Sequence, residues 1–270
     1  MASLIRSVRC SHLSDGRSLQ SLRAHTDVVT CLALTRDGAT LVTGARDTTL
    51  MVWPLIPAAS RSSSANLLPE KPRHVLHGHD DEVTCVVASS DVNIVLSGSS
   101  DGTAIVYTLR SGNYMRSLPH PASAPVDLLA LSAVGTLVLY SRTDHILHAL
   151  TINHRGQRPP LASTGAGERL HAIAFDSTNE VLISAGERGV VVLRRAHDLS
   201  VLHELRALSE ESPAGPGPLL CLALSAGDEY VLAGSQRGTL FVWAVPSVPA
   251  ERDNSVDAAF LSAAWDERVF

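Results

Sequence analysis

An all-β protein assembled from repeated antiparallel sheets is the fold class this sequence predicts, on three observations. Five segments share one pattern: LVTGARDTTLMVW (41–53), VLSGSSDGTAIVY (95–107), VLYSRTDHILHAL (138–150), VLISAGERGVVVL (181–193) and VLAGSQRGTLFVW (231–243). Each passes from apolar into small or polar residues, turns on Asp, Gly or Arg, and returns through alternating apolar positions, which is the signature of a β-hairpin. Their last residues, Trp53, Tyr107, Leu150, Leu193 and Trp243, recur about 43 to 54 residues apart, at or just above the period of a four-stranded propeller blade. The helical runs that would indicate a parallel α/β sheet are lacking.

The elements follow in order. Residues 3–22, SLIRSVRCSHLSDGRSLQSL, align with TAIVYTLRSGNYMRSL (103–118), so 1–22 form a partial blade holding the third and fourth strands. Residues 23–245 supply five full blades. In each, an inner strand precedes the hairpin: CLALTRDG (31–38), CVVASSDV (85–92), LLALSAVG (128–135), AIAFDSTN (172–179) and CLALSAGD (221–228). Segments such as GNYMRSLPH (112–120) and LSVLHELRAL (199–208) supply an outer, fourth strand. The stretch PLIPAASRSSSANLLPEKPRH (54–74) is an insertion in the first full blade, and SEESPAGPGP (209–218) a second one; their Pro, Ser and Ala content predicts solvated loops. Residues 246–270 form a C-terminal tail, of which 257–270 could complete the first sheet as a closing strand. The whole is a β-propeller of about five and a half blades, expected to be part of a seven-bladed ring, with the first two strands of the opening blade missing. An open ring leaves unpaired strand edges, so the chain alone is expected to be poorly soluble or oligomeric.

Composition narrows the function. With 45% hydrophobic and 18% charged residues the sequence is that of an ordinary globular protein. A net charge of −5, with no basic stripe, argues against a nucleic-acid partner. No apolar run is long enough for a spanning helix, and the opening residues do not make a signal peptide. The four cysteines include no CxxC pair, and no Asn-x-Ser/Thr acceptor occurs, as expected of a reducing, cytoplasmic setting. Cys31, Cys85 and Cys221 stand in the similar runs TCLAL, TCVVA and LCLAL, which suits small buried hydrophobes.

The segment HTDVVTCLALTRDGATLVTGARDTTLMVW (25–53) carries a histidine, a threonine and an aspartate that could be mistaken for a catalytic triad. The same set recurs at the same offsets: His25, Thr43, Asp47 and Trp53, then His79, Ser97, Asp101 and Tyr107. A catalyst needs one such set, and no GxSxG elbow is present. The duplication resembles the structural tetrad of WD40 repeats, in which loop histidine, strand hydroxyl, turn aspartate and strand aromatic lock a blade together. His77, His79 and Cys85 do not make a metal site, since His79 is committed to the tetrad, and no metal or cofactor is expected. The tetrad then decays. The third repeat keeps His120 and Asp144, while Glu187 and Arg237 stand in the aspartate's place in the fourth and fifth. The repeats end in WP, YT and WA rather than WD; the one WD, Trp265–Asp266 in WDER, is similar to a cullin-adaptor docking box but lies beyond the last hairpin.

HTDVVTCLAL, TGARDTTLMVW and LHGHDDEVTCVVASSDVNIVLSGSSDGTAIVYTLRSGNYMRSL, followed in order by LHALTINHRGQ, GERGVVVLRRAHDLSVLHEL and SQRGTLFVWAV, resemble the C-terminal propeller of BEACH-domain proteins of the neurobeachin and beige-like anchor type, over residues 3–245. The resemblance implies a WD40-type propeller in large cytosolic proteins in which PH-like and BEACH domains precede it, acting as scaffolds at vesicles, lysosomes or autophagic membranes. The expected function is therefore a non-catalytic platform for other proteins, peripheral on endomembranes only through partners or upstream domains. The alternative is a substrate-receptor subunit of a cullin-type ubiquitin ligase. Loop and turn positions on the tetrad face, Asp27, Arg46, Asp80, Asp81, Ser100 and Thr143, are the candidate binding surface.

Overall fold

The computed structural model describes residues 6–12, 14–56, 67–152, 160–206, 217–225 and 227–245, and every regular element within them is a β-strand. β1 (Val8–Ser11) and β2 (Ser18–Leu22) pair in a two-stranded sheet. β3 (Val29–Leu34), β4 (Thr40–Ala45), β5 (Leu50–Pro54) and β6 (His74–Leu76) form the first four-stranded meander. The second holds β7 (Val83–Ser89), β8 (Ile94–Ser99), β9 (Thr103–Thr108) and β10 (Tyr114–Pro119). The third holds β11 (Leu128–Leu131), β12 (Thr136–Tyr140), β13 (Ile146–Thr151) and β14 (Ala162–Gly165). The fourth is β15 (Leu170–Phe175), β16 (Val181–Gly186), β17 (Val190–Arg195) and β18 (Val201–Arg206). The fifth has three strands among the described residues, β19 (Leu219–Leu224), β20 (Tyr230–Ser235) and β21 (Leu240–Ala244). All pairings are antiparallel, and the count matches the half blade plus five of the repeat. The tail 246–270 lies outside the described residues.

The chain divides into two compact units, Met1–Gly167 with His197–Leu199, and Glu168–Ala196 with Ser200–Phe270. In the first unit the middle strands are buried on both faces: β4 is TLVTGA and β8 is IVLSGS, buried along nearly their whole length. That is why both read as unbroken runs of apolar and small residues, while the outer strands alternate. β2, β6 and β10 each bury one leucine, Leu22, Leu76 and Leu118, and leave most of the strand in solvent. In the second unit β16 and β17 are buried in the same way, and Val181, Ile183, Leu193 and Leu205 pack in one core with Leu219, Val231, Phe241 and Trp243.

Neighbouring sheets of the first unit are joined by a repeated device. The Thr30 hydroxyl donates to the backbone carbonyl of Val83 on β7, and the Thr84 hydroxyl to that of Val126 just before β11. Beside each rung a cysteine packs where its partner strand has glycine. A Cβ on Gly44 would stand 2.7 Å from both Cys31 Sγ and Val83 Cγ1, and one on Gly98 2.8 Å from Cys85 Sγ. Burial pushes the Cys31 thiol up to about 11 and the Cys85 thiol higher still, as suits packing groups rather than nucleophiles. Cys221, by contrast, is exposed rather than buried, although its Sγ faces Gly234 in the same way.

The described end of the first insertion is anchored to the sheets. Residues 57–66 lie outside the described set, but Leu68 is fully buried against Val8, Leu22, Leu41, Met51 and Trp53. The Gln20 side-chain amide clasps its backbone, donating to the Leu68 carbonyl at 2.8 Å and accepting from the Leu68 amide at 2.9 Å.

Candidate interaction face

In the first full sheet the four predicted side chains converge. An aspartate at this pH can only accept, so His25 Nδ1–H donates to Asp47 Oδ2 (3.0 Å) and His25 Nε2 is left to accept from the Thr43 hydroxyl at 2.8 Å. The Trp53 indole N–H donates to the same hydroxyl oxygen at 3.2 Å. Burial disfavours the charge on Asp47, but the Thr49 hydroxyl and the Thr26 and Thr49 amides outweigh it and hold the carboxyl below its ordinary value. The histidine thus ties the loop before β3 to the β4–β5 turn.

The second sheet repeats two of these three contacts. His79 Nδ1 donates to Asp101 Oδ2 at 2.8 Å and Nε2 accepts from the Ser97 hydroxyl at 2.8 Å. Tyr107 departs from the tryptophan's role: its hydroxyl donates to the His77 carbonyl at 3.1 Å and so pins the loop backbone directly. Burial lowers the pKa of His79 despite Asp101, and hydrogen bonds from Thr103 and His79 hold Asp101 low against its own burial. Thr43 and Ser97 are both fully buried, so neither hydroxyl could reach a substrate.

Beyond the second sheet the lock changes. Strand register decides which residue replaces which: Thr43 pairs with Met51 and Ser97 with Ile105, and the same rung in the third sheet is Leu139 with His148. The hydroxyl position is therefore leucine. His120 Nε2 and His148 Nε2 each lie 3.8 Å from Asp144 Oδ2. In the fourth sheet Ser184 keeps the hydroxyl position opposite Val192, which makes Arg188, not Glu187, the residue at the aspartate position, and puts Arg194 opposite Leu182 where Trp53 stands opposite Leu41. The position equivalent to Trp53 is Arg194 rather than Leu193, so a count made back from Leu193 falls one residue early. In the fifth, Ala233 pairs with Phe241 and Arg237 does take the aspartate's place.

The residues proposed for binding lie along one connected edge of the first unit. Asp27 caps the loop by accepting from the Val28 amide at 2.7 Å, and the Arg46 amide donates to the Val28 carbonyl. The exposed Arg46 guanidinium crosses to Glu82 of the next sheet at 2.7 Å, a partner the sequence alone did not single out. Asp80 donates its amide to Asp101, and the Ser99 hydroxyl donates to the Asp81 carbonyl. The Ser100 amide donates to the Glu82 carbonyl. The β8–β9 turn in turn holds the next loop, through His120 N to Gly102 O and Val126 N to Ser99 O. Thr143 sits on the following turn, its hydroxyl 2.8 Å from that of Ser141. Asp80, Asp81, Arg46 and Thr143 are exposed, Asp27 and Ser100 half-buried.

Repeated antiparallel meanders, the first three led by a loop histidine that a turn aspartate secures by a hydrogen bond in the first two, define a WD40-type β-propeller. A solved chain in the crystal structure of the mitotic checkpoint complex shares the fold, with a TM-score of 0.69 over 89% of this chain and 70% of that one, at 16% identity. The model of the neurobeachin β-propeller domain matches residues 5–253, and the chain belongs to that family. BEACH domain-containing protein B of Arabidopsis thaliana is 37% identical over 244 residues, 86% of this chain and 9% of that protein. BEACH domain-containing protein lvsE of Dictyostelium discoideum is 28% identical over 244 residues, 87% of this chain and 10% of its own length. The chain spans about a tenth of these relatives.

Proposed function

We propose that this chain is a non-catalytic platform that docks other proteins on the edge carrying Asp27, Arg46, Asp80, Asp81, Ser100 and Thr143, within a BEACH-type protein acting in vesicle, lysosomal or autophagic membrane traffic. The observation that supports it is the coupling of loop to turn by His25–Asp47 and His79–Asp101, which fixes exposed acidic and basic side chains on a rigid base. Both histidine–hydroxyl pairs are spent inside the sheets, so the triad-like residues have no free nucleophile. Membership of the neurobeachin β-propeller family supports a scaffold role. No helix among the described residues is long and apolar enough to cross a membrane, and contact with membranes is assigned to partners or to other domains. Proximity labelling with wild type and with Arg46→Glu and Asp80→Lys tests the proposal. Loss of a common set of partners in both variants is expected; an unchanged set, at wild-type affinity, would move docking to another surface.

A further inference from the structure

We propose that His120, Asp144 and His148 form a binding site for a divalent transition-metal ion of the zinc class inside the third sheet. Their facing atoms, His120 Nε2, Asp144 Oδ2 and His148 Nε2, all lie within 4.8 Å of one another. All three are buried and have no hydrogen-bond partner among the described residues. The His120 side chain is 0% exposed and that of His148 7%. The two rings meet edge to face with centroids 4.8 Å apart, and each presents its Nε2 at 3.8 Å from the same carboxylate oxygen.

The sequence explains how the group arose. In the first two sheets the loop histidine is satisfied by Thr43 or Ser97; here Leu139 holds that position and a second imidazole enters from β13. Buried polar atoms left unpaired are costly, and two imidazole nitrogens with one carboxylate oxygen are a donor set that zinc binds tetrahedrally, leaving the fourth position for water. The surroundings orient the donors. His148 Nδ1 lies 2.8 Å from the Ser163 hydroxyl, which can accept the ring proton when Nε2 binds a metal. Asp144 Oδ1 accepts from the Ile146 amide at 2.9 Å, which leaves Oδ2 to face the rings.

Two adjustments accompany binding. The separations of 3.8 Å exceed those around a zinc ion with bonds of about 2.0–2.2 Å, so the side chains draw inward by roughly half an ångström each. The Ala122 amide donates to His120 Nδ1 at 3.2 Å, and ligation through Nε2 puts the proton on Nδ1, so this ring turns away from that amide.

The test is titration of the chelator-treated 270-residue chain with Co2+, followed by visible absorption, and equilibrium dialysis against Zn2+ with elemental analysis. One ion per chain, a tetrahedral Co2+ spectrum and a zinc-dependent rise in Tm are expected. Asp144→Asn and His148→Ala should lose stoichiometric binding, Ser163→Ala should weaken it about 10- to 100-fold, and His197→Ala, at an exposed histidine, should leave it unchanged. Should His148→Ala fail to fold, His148→Cys keeps a ligand and should bind with an altered Co2+ spectrum. Absence of stoichiometric binding by wild type, or wild-type binding by both ligand variants, overturns the proposal.

Discussion

Trp53 donates its indole N–H to the Thr43 hydroxyl at 3.2 Å, onto an oxygen whose own proton goes to His25. The four groups form a relay in which Thr43 accepts from Trp53 and donates to His25, and the last acceptor, Asp47, anchors the turn. Removing His25, an inner member with a partner on each ring nitrogen, should therefore cost more than a single contact. His25→Ala is expected to lower stability by about 1 to 3 kcal/mol, the range for stranding a buried hydrogen-bonding group. Equilibrium denaturation measures it, and an unchanged midpoint would mean the relay is decorative.

Acid should loosen the fold in two steps. His79 has a lowered pKa in the folded chain because of burial, so an unfolded chain takes up its proton first, and its stabilising contribution is lost as pH falls below about 6.5 toward the folded value. Asp47 and Asp101 are also held low, each by hydrogen bonds that outweigh its burial, so their contribution persists above about 3.8 and is lost as pH falls through their folded values. Tm should decline from pH 7 to 5 and fall again below 4. A Tm that is flat between pH 7 and 5 would contradict the histidine assignment.

The β4–β5 turn carries a correctable strain. Thr48 has φ 67°, at the place occupied by Gly102, Gly189 and Gly238 in three other hairpins, with φ 80°, 70° and 84°. A β-branched residue is disfavoured in the left-handed region. Thr48→Gly is expected to stabilise the chain by up to about 1 kcal/mol, read as a raised midpoint. Destabilisation would show that the threonine side chain contributes more than its backbone costs.

Hairpins and their inner strands were legible because period-two alternation and turn residues are local, and the first two tetrads because their offsets repeat. Register was not. Only the pairing of Ser184 with Val192 shows that Arg188, rather than Glu187, takes the aspartate's place. His148 was hidden because it stands in the strand LHALT, where its neighbours read as core; its sign was a histidine at an otherwise apolar position four residues after a retained turn aspartate. The Gln20 clasp joins residues 48 apart, and nothing in a Pro- and Ser-rich insertion announces which leucine will be buried.

That clasp gives a further expectation. Gln20→Ala should leave the Leu68 carbonyl and amide without their side-chain partner, lowering stability by about 1 to 3 kcal/mol. It should also speed proteolysis within the insertion. Equal cleavage rates for variant and wild type would show that Leu68 is retained by packing alone.

The threonine rungs have a mechanical meaning. Because the Thr30 hydroxyl reaches the backbone of β7 and the Thr84 hydroxyl the residue before β11, a strand cannot leave its place without pulling on the next sheet. Load is passed from sheet to sheet by a series of cross-ties, as in an array whose members are stabilised by nearest neighbours. Cutting one tie, by Thr84→Val, should split a single unfolding transition into two, with the sheets before and after the cut yielding at different forces.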